Sequence, residues 1–564
     1  MPIVTEDTYE QYALASLDDI GYEVLHGPEI APDGETPLRE SYDGPFLDEI
    51  LREQAERLNP GVPRAAVEES ISQLKQADAI DLVSRNRKVY RWLRDGLKVT
   101  FQAGGEERTE FLRLIDFDNP EANRFQAVNQ FTLKGRKQPR RPDIVLFVNG
   151  IPLLVFELKN PVDDHADVWK AWSQIQTYKD EIPQLFETNL ACVISDGAEA
   201  RIGSLTAPRE WFMRWRVLED ENDRPKGMPP LELLIRGLCH KDYLLQYFRD
   251  FVLFQQDKQL TKIIAQYHQF HGVRAAVAKT LEAAEPKGDK RGGVFWHTQG
   301  SGKSLSATFY AGILMEHPVM KNPTIVVVTD RNDLDGQLFR TFSQAADLLG
   351  EHPVQADSRQ ALRDLLDQRQ SGGIVFTTIQ KFSPDERGGD YPMLCDRHNL
   401  VVISDEAHRS QYGLKARFIE SEHDNRGRIA WGYAKYLRDA LPNATMLGLT
   451  GTPISTEERN TRAVFGNEVS IYDIEDAQED GATVPIYYES RMIPLEGEFD
   501  PEALDAEVEE ATEGLELETS NRERSKWAQL EALATTKDRL RHLAEDLVKH
   551  FERRCETLEG KAMV

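Results

Sequence analysis

Three charged side chains, Asp143, Glu157 and Lys159, have the types and spacing of a metal-dependent nuclease site. Hydrolysis of a phosphodiester with a divalent ion needs oxygen ligands for the ion and a group that activates the attacking water. Asp143 and Glu157 can supply carboxylate ligands to Mg²⁺. Lys159 lies two residues after Glu157, so on a strand their side chains share one face, and the ammonium can orient the water or stabilise the pentavalent phosphate. The alternative is that all three charges are simply exposed on a hairpin.

A second group of residues has the composition of a phosphate-binding loop. Gly300 and Gly302 let the chain aim N–H groups at phosphate oxygens, and Lys303 and Ser304 follow where a helix is expected to begin. The first position of the GxxxxGK[ST] pattern is not glycine but His297. The segment resembles instead motif I of superfamily 2 helicases. That resemblance implies that Lys303 holds the β- and γ-phosphates of ATP and that Ser304 ligates Mg²⁺.

A carboxylate pair follows an apolar run farther along the chain, as the Walker B motif of an ATPase does. Asp405 and Glu406 begin the tetrapeptide Asp-Glu-Ala-His, which ends at His408. We expect Asp405 to hold Mg²⁺ directly or through water, and Glu406 to activate the hydrolytic water. We expect His408 to relay to motif III, which contains Thr450 and Thr452. The tetrapeptide alone occurs by chance, but its order after the loop indicates an ATP-driven motor.

A hairpin must position the nuclease residues. Apolar runs at 144–148 and 151–156 flank Asn149-Gly150, a strong signal for a two-residue turn. An ideal turn would pair Asp143 with Phe156 and put Asp143 on the wrong face of the sheet. We therefore expect a three-residue turn or a one-residue bulge, for which Pro152 offers a position, so that Asp143 pairs with Glu157.

The motor residues need a different scaffold. Short apolar runs alternate with helical patterns, which predicts a parallel sheet covered on both faces. The predicted strands are 293–296, 324–328, 373–376, 400–403 and 445–449.

Further polar residues lie where they could join the nuclease site. Glu10, on a helix predicted near the start of the chain, could add a third carboxylate. Gln174 and Tyr178 are four apart in a helical pattern and so share one face. With the hairpin, these residues resemble the PD-(D/E)xK nuclease fold, including the Q-x-x-x-Y element of nucleases coupled to helicases. An ordinary amphipathic helix is the alternative. The basic run 134–141 is a candidate for phosphate contact or a solvated loop.

The whole set of motifs resembles the restriction (R) subunit of type I restriction-modification enzymes. The segments that carry the resemblance are Tyr267–Gln269, Trp296–Ser304, Asp330–Gln337, Thr378–Phe382, Asp405–Gly413 and Gly448–Pro453. It implies an α/β protein, with a PD-(D/E)xK nuclease domain followed by a RecA-like parallel-sheet helicase domain. It implies that Gln269 contacts adenine. The residues that it implies for contact with the nucleotide are Gln269, Thr298, Gly300, Ser301, Gly302, Lys303, Ser304, Asp405, His408, Thr450 and Thr452.

The resemblance also implies an activity and partners. R subunits use ATP and Mg²⁺ to move along double-stranded DNA, and they cut it away from the recognition site. Recognition and methylation belong to separate specificity and methylation subunits, and the methylation subunit binds S-adenosylmethionine. The alternatives are a repair-type helicase-nuclease that works from DNA ends, another restriction class, or a catalytically incompetent remnant that only binds the methylase complex.

Length and composition set the domain organisation and the compartment. A chain of 564 residues predicts several domains. We place a nuclease domain at 1–230, a first RecA-like domain at 231–485, and an acidic linker with the beginning of a truncated second RecA-like domain at 486–564. The charged, Pro- and Gly-rich segment 219–231 sets the first boundary. Because R subunits continue through that second domain, we expect full translocation to need more than this chain.

The charge and cysteine content exclude several other classes. A net charge of −27 argues against wholesale wrapping of nucleic acid, so DNA contacts must come from local basic patches or from partner subunits. Four cysteines without a CxxC pair indicate neither a zinc site nor a disulfide framework. The N-terminus has an acid where a signal peptide needs a base, and no long apolar segment follows. We therefore expect a cytoplasmic protein with no membrane partner.

Overall fold

The computed structural model of the chain describes residues 6–160, 167–329, 336–369, 371–382, 392–407, 417–419, 428–430, 433–452, 459–484 and 537–556. Residues 1–484 form one unit, and residues 485–564 form a second, in which the helix Lys537–Cys555 is described. The acidic run 496–518 lies outside the described residues. Within the described ranges, no helix combines the length and apolar character needed to cross a bilayer.

The first part of the chain builds a mixed sheet with helices on both faces. Its strands are β1 Glu23–His26, β2 Leu97–Ala103, β3 Glu106–Leu112, β4 Phe125–Asn129, β5 Ile144–Val148, β6 Ile151–Leu158, β7 Ala191–Ser195, β8 Ala200–Gly203 and β9 Met213–Arg214. Its helices are α1 Glu6–Asp19, α2 Asp48–Leu58, α3 Arg64–Lys75, α4 Leu82–Asp95 and α5 Val168–Glu181. Strands β2 and β3 form a separate hairpin, and the sheet order is β1-β4-β5-β6-β7-β8-β9. We call this sheet the first sheet.

The central strands of the first sheet are apolar along their whole length because both faces are covered. Every residue of β5, β6 and β7 is buried. Phe156 and Leu158 pack into a core cluster with α1, whereas Val155 packs with Ile175 and Tyr178 of α5. Since side chains alternate along a strand, Glu157 faces α5. Phe156 and Leu158 point to the opposite face, into the core.

The register of the β5–β6 hairpin confirms the predicted bulge. Asn149 and Gly150 have φ values of 52° and 76°, as a two-residue type I′ turn requires. Val148 pairs with Ile151 and Phe147 with Pro152, but Leu146 then pairs with Leu154, so Leu153 is the extra residue. Beyond the bulge Ile144 pairs with Phe156, and the same register continued by one residue sets Asp143 opposite Glu157. The bulge directly follows Pro152, the residue expected to favour it.

The second part of the chain builds a parallel sheet. The strands of this part of the chain are β10 Val252–Gln256, β11 Leu260–Ile264, β12 Arg291–His297, β13 Thr324–Thr329, β14 Val354–Gln355, β15 Ile374–Thr378, β16 Leu400–Ser404, β17 Arg417–Ile419, β18 Arg428–Ala430, β19 Thr445–Thr450 and β20 Glu468–Tyr472. Strands β10 and β11, and likewise β17 and β18, form separate antiparallel pairs. The helices of this part are α6 Pro230–Leu238, α7 Lys241–Asp250, α8 Tyr267–Ala284, α9 Lys303–Glu316, α10 Gln337–Gln344, α11 Ala346–Leu349, α12 Arg359–Gln368, α13 Tyr433–Ala440, α14 Arg459–Phe465 and α15 Ile474–Glu479.

The second sheet has the order β14-β15-β13-β16-β19-β12-β20, and all its pairings are parallel. All five strands expected from the apolar runs are present, and the α/β prediction is confirmed. The two edge strands were not predicted, since β14 has only two residues and β20, with the sequence Glu-Val-Ser-Ile-Tyr, has no continuous apolar run. Because the strands are parallel, their carboxyl ends lie at one edge. At that edge the phosphate-binding loop follows β12, Asp405 follows β16, and Thr450 is the last residue of β19.

Residues 219–229 of the expected linker form neither helix nor strand, α6 begins at Pro230 within its last two residues, and the linker packs against the second sheet. The Glu221 carboxylate accepts hydrogen bonds from Ser470 Oγ and from the Ile471 N–H at 3.1 Å. Burial raises the pKa of Glu221 to about 7. One continuous hydrophobic cluster holds side chains of both sheets, among them Phe156 of β6 and Phe295 of β12. We call it the shared core.

A buried lysine lies where the β10–β11 hairpin meets the first sheet. The Lys262 side chain is only 2% exposed. Its Nζ donates to Asn86 Oδ1 at 3.0 Å and to the Asn189 carbonyl, and its main-chain carbonyl accepts from Ser204 Oγ at 2.6 Å. Desolvation lowers the pKa of Lys262 to about 7.

This lysine is expected to make stability depend on pH. Between about pH 7 and the unfolded lysine pKa of about 10.4, the unfolded chain binds a proton that the folded chain does not. The free energy of unfolding therefore rises with pH across that window. Lys262→Met should flatten the rise, whereas Lys258→Met, at an exposed turn next to the same hairpin, should not. Denaturant titrations at pH 7.5, 8.5 and 9.5 would measure the free energy of unfolding at each pH. An equal rise of this free energy with pH in wild type and Lys262→Met would contradict the prediction.

Candidate active sites

The predicted nuclease residues meet at the end of β6. The Leu158 N–H donates to Asp143 Oδ2 at 2.6 Å, which ties the loop before β5 to the strand that carries Glu157. Lys159 Nζ donates to the Glu157 carboxylate and to the Leu158 carbonyl at 3.0 Å. Glu157 is 3% exposed, while Asp143 and Lys159 are partly exposed. Two carboxylates and an ammonium therefore form one cluster that is accessible from one side.

Helix α5 covers this cluster with the predicted Gln174 and Tyr178. The buried Tyr178 hydroxyl donates to the Arg141 carbonyl at 3.4 Å. Burial raises the pKa of Tyr178, with a further rise from the nearby charges of Glu157 and Asp143 and an opposing hydrogen bond from Gln174. These interactions place both side chains beside Glu157. The i, i+4 spacing on α5 thus turns Gln174 and Tyr178 towards the carboxylates.

Glu10 lies next to this cluster but contacts it through an intermediary. Its carboxylate accepts from Asn129 Nδ2 at 2.7 Å and from Gln130 Nε2. The Gln130 N–H in turn donates to the Asp143 carbonyl at 2.9 Å. Burial raises the pKa of Glu10, and the nearby Arg141 charge opposes that rise. Asn129 and Gln130 were not predicted as neighbours of the site, because they lie at the end of β4, a strand that was not predicted.

The donor set of the cluster suits Mg²⁺. Mg²⁺ prefers oxygen ligands and keeps several of its waters, so one or two carboxylates are enough to hold it. Asp143 and Glu157 supply those carboxylates, and the Leu158 carbonyl adds a third oxygen at the same place. Among the described residues, no group of three or more His, Cys, Asp or Glu side chains could hold a metal ion. A bound Mg²⁺ would therefore complete its shell with water and phosphate oxygens.

The basic run before Asp143 is largely paired with acids. Arg140 Nε bonds to Glu181 Oε2 at 2.6 Å, and Arg136 lies 3.8 Å from Asp180. Lys134 pairs with Asp43 at 3.3 Å. The Arg136 and Lys134 pairs are exposed, and exposed pairs stabilise a fold by at most about 1 kcal/mol, so a phosphate can replace the acid in these two pairs at little cost. The run stays a prediction as a DNA contact.

The phosphate-binding loop joins β12 to α9. Gly300 and Gly302 have φ values of 86° and 81°, and α9 begins at Lys303. Lys303 Nζ donates to the His297 carbonyl at 2.9 Å and to the Thr298 carbonyl at 3.1 Å. The loop N–H groups and the helix terminus form the arrangement that binds phosphate. Ser301 is buried in the loop, and the partly buried Ser304 lies in the first turn of α9.

The acidic pair lies within electrostatic reach of this lysine. Burial lowers the pKa of Lys303, and the charges of Asp405 and Glu406 oppose that shift. The Asp405 N–H donates to the Val328 carbonyl at 2.9 Å, and Glu406, with a φ of 50°, donates its N–H to Asp405 Oδ1 at 3.0 Å. Strands β13 and β16 thus position two carboxylates opposite the loop.

Motif III lies on the neighbouring strand. The Ala407 N–H donates to the Leu449 carbonyl at 2.9 Å, which links the acidic turn to β19. Thr450 Oγ1 donates to the Thr452 carbonyl at 3.2 Å and accepts from the Thr452 N–H at 3.1 Å. His408 lies outside the described residues. The relay expected of His408 stays a prediction, and the described link from the acidic turn to β19 is the Ala407 hydrogen bond.

Gln269 holds the phosphate-binding loop. Its Nε2 donates to the Gly302 carbonyl at 3.2 Å and to the Ser301 carbonyl at 3.4 Å. Its Oε1 accepts from the Gln266 N–H at 2.9 Å, half of a capping box at the start of α8. The adenine contact expected for Gln269 stays a prediction. The structure adds a second role, in which this side chain positions the loop.

Gly302 is required by that contact. A Cβ atom at Gly302 would lie 2.5 Å from Gln269 Nε2, and its φ of 81° disfavours any side chain. We expect Gly302→Ala to weaken ADP binding by at least about tenfold, and more than Gly300→Ala does, in titration calorimetry, because the clash with Gln269 adds to a backbone strain of about 1–2 kcal/mol that both variants share. Gly300→Ala is the matched control, because its φ is similar and nothing lies within 4 Å of the added atom. Equal losses in the two variants would show that the contact with Gln269 is unimportant.

Two family models match the two halves of the chain. Residues 3–211 match the type I restriction enzyme R protein N terminus, and residues 268–521 match the SWI2/SNF2 ATPase. The first range contains the carboxylate cluster, and the second contains the phosphate-binding loop and the acidic pair.

Whole-chain relatives have the same character. The chain is 47% identical to the type I restriction enzyme HindI endonuclease subunit of Haemophilus influenzae, over 100% of this chain and 52% of that protein. It is 35% identical to the endonuclease subunit assigned to the type I restriction enzyme MjaIXP of Methanocaldococcus jannaschii, over 98% of this chain and 52% of that protein. The chain thus spans about half the length of the curated relatives it matches. It belongs to the family of endonuclease (R) subunits of type I restriction enzymes.

Proposed function

We propose that the chain is the nuclease and first motor part of an ATP-dependent type I restriction endonuclease. In this proposal the whole protein moves along double-stranded DNA and cuts unmodified foreign DNA away from the recognition site. It works with a specificity subunit and a methylation subunit, and the latter binds S-adenosylmethionine. The observation that carries the proposal is that one unit holds both clusters: Asp143 opposite Glu157 with Lys159, and Lys303 near Asp405 and Glu406.

The proposed division of labour follows the two sheets. In this proposal residues 1–230 are the nuclease domain, 231–485 are the first RecA-like domain, and 486–564 are an acidic linker with the beginning of a second RecA-like domain. The first sheet ends with β9 at Arg214, and the strands of the second sheet begin with β12 at Arg291, which supports this division.

Cleavage at the first cluster would use the carboxylates and the ammonium for different tasks. Asp143 and Glu157 would bind Mg²⁺, which supplies charge to stabilise the developing phosphorane. Lys159 would orient the attacking water or stabilise the phosphate, because its Nζ already lies between Glu157 and the Leu158 carbonyl. Tyr178 and Gln174 would hold Glu157 in place, since the Tyr178 hydroxyl lies between that carboxylate and the Arg141 carbonyl.

ATP hydrolysis at the second cluster would follow the logic of phosphoryl transfer. The ammonium of Lys303 would exchange its two loop carbonyls for the β- and γ-phosphates. Ser304 and Asp405 would hold Mg²⁺, and Glu406 would take a proton from the attacking water. Thr450 and Thr452 would sense the acidic turn through Ala407, because the Ala407 N–H is bonded to the strand that leads into them.

Cleavage of closed-circular DNA by the full-length protein tests the proposal. The protein would be assembled with its specificity and methylation subunits. We expect cleavage of unmodified circles that carry one recognition site, only with ATP and Mg²⁺, and at positions away from that site. Cleavage only of linear DNA from its ends would favour a repair-type helicase-nuclease. Binding to the methylase complex with neither cleavage nor ATP hydrolysis would indicate an inactive remnant.

A further inference from the structure

A cavity of about 300 Å³ lies between the two sheets and reaches the phosphate-binding loop. Residues of the ATPase part form one side, with Gly300–Gly302, Gln269 and Leu305 against the space. The first sheet and the turn before β9 form the opposite side, where Trp211 and Met213 line it. The cavity therefore has walls from both parts of the chain.

The position of the cavity indicates its occupant. Phosphates bound at the N-terminus of α9 would leave the rest of a nucleotide to extend past Gly302 and Leu305, and both residues line the cavity. A volume of about 300 Å³ is within the range of small-molecule sites, and such sites are mostly apolar with a few polar groups. The lining has this character, since it combines apolar side chains such as Met213 and Leu305 with the amide of Gln269 and the loop backbone.

The side chain of Trp211 supplies a flat surface at this place. It is 56% exposed, although tryptophan normally buries most of its ring. Its turn, Arg209–Trp211, leads directly into β9, and Phe212 between the ring and the strand is fully buried. The backbone that carries the indole is thus anchored in the first sheet while the ring faces the cavity. An anchored, exposed indole offers a stacking surface for a nucleobase.

We propose that Trp211, with Met213 beside it, forms the second wall of the nucleobase site, so that the nuclease half of the chain contributes to nucleotide binding. The occupant is the planar base of a purine nucleoside di- or triphosphate whose phosphates lie on the loop. This inference rests on the proposed ATP-dependent function. Loss of the indole lowers the affinity for ADP about tenfold and leaves the affinity for inorganic tripolyphosphate unchanged, because tripolyphosphate has no base to stack.

Titration calorimetry of the full-length protein with ADP and with tripolyphosphate tests this wall. Trp211→Ala is expected to weaken ADP alone, and Trp211→Phe is expected to restore most of the affinity because the ring can still stack. Phe111→Ala is the matched control: this ring on β3 is 62% exposed and does not line the cavity. Folding is not at stake in these variants, since the replaced side chains are mostly in solvent.

The outcomes separate the inference from the function on which it rests. Unchanged ADP affinity in Trp211→Ala, or equal losses for ADP and tripolyphosphate, would overturn the nucleobase wall. If the wild-type protein bound neither ligand, or if Lys303→Ala bound both as tightly as wild type, the ATP site itself would be wrong and the wall would fall with it.

Discussion

Lys303→Ala is expected to lower DNA-stimulated ATP hydrolysis by about 100- to 1,000-fold and to remove restriction of unmodified DNA with it. The ammonium reaches the two loop carbonyls of His297 and Thr298, and it is the cation placed between the loop and the acidic pair. Without it, the charge that develops on the phosphates in the transition state is not balanced. Steady-state phosphate release by the full-length protein, assembled with its partners on DNA, measures the effect.

The control for this variant is Lys321→Ala, an exposed lysine in the turn before β13, which should keep the wild-type rate. Restriction of unmodified DNA by Lys303→Ala is the outcome that would contradict the prediction. Normal restriction by Lys303→Ala would mean that movement on DNA is not driven by ATP at this loop.

Asp143→Ala or Lys159→Ala is expected to reduce DNA cleavage by at least about a thousandfold and to leave ATP hydrolysis within about twofold of wild type. Losing a ligand or the water-orienting charge removes several kcal/mol of transition-state stabilisation, and each 1.4 kcal/mol is a factor of about ten. The ATPase rate is spared because the two clusters belong to different sheets. Cleavage of circular DNA and phosphate release would be followed in the same reactions.

Asp180→Ala is a suitable comparison for the nuclease variants. Asp180 is an exposed acid on α5 that pairs with the basic run but does not contact Asp143 or Glu157 in the described structure. It should cut at the wild-type rate. If nicking survived in both Asp143→Ala and Lys159→Ala, the assignment of the nuclease site would be wrong.

The sequence predicted the geometry of the nuclease hairpin because two strong local rules applied to it. Asn149-Gly150 specified the turn, and the requirement that Asp143 and Glu157 share a face then demanded one extra residue. The central strands of the second sheet were equally accessible to prediction, since continuous apolar runs between helices have few other interpretations.

The contacts around these residues were not predictable in the same way. Gln130 lies between Glu10 and Asp143 only because β4 pairs with β5. Gln269 holds the loop through an amide that also closes the capping box at the start of α8. Glu221 and Trp211 contact the ATPase part or the cavity beside it from segments far away in sequence. Each of these contacts depends on how separate elements pack against one another. The periodicity of apolar residues along one sequence carries no information about that packing.

The shared core has a mechanical meaning for an enzyme of this kind. Side chains of both sheets pack in one hydrophobic cluster. Glu221, which lies in the segment between the two sheets, is hydrogen-bonded to β20. A nuclease attached in this way does not move on a flexible linker relative to its motor. Under the proposed function the nuclease site moves with the first RecA-like domain and stays at a constant distance from it. Breaks in DNA would then mark the places where the motor halts, within a footprint of the protein's own dimensions.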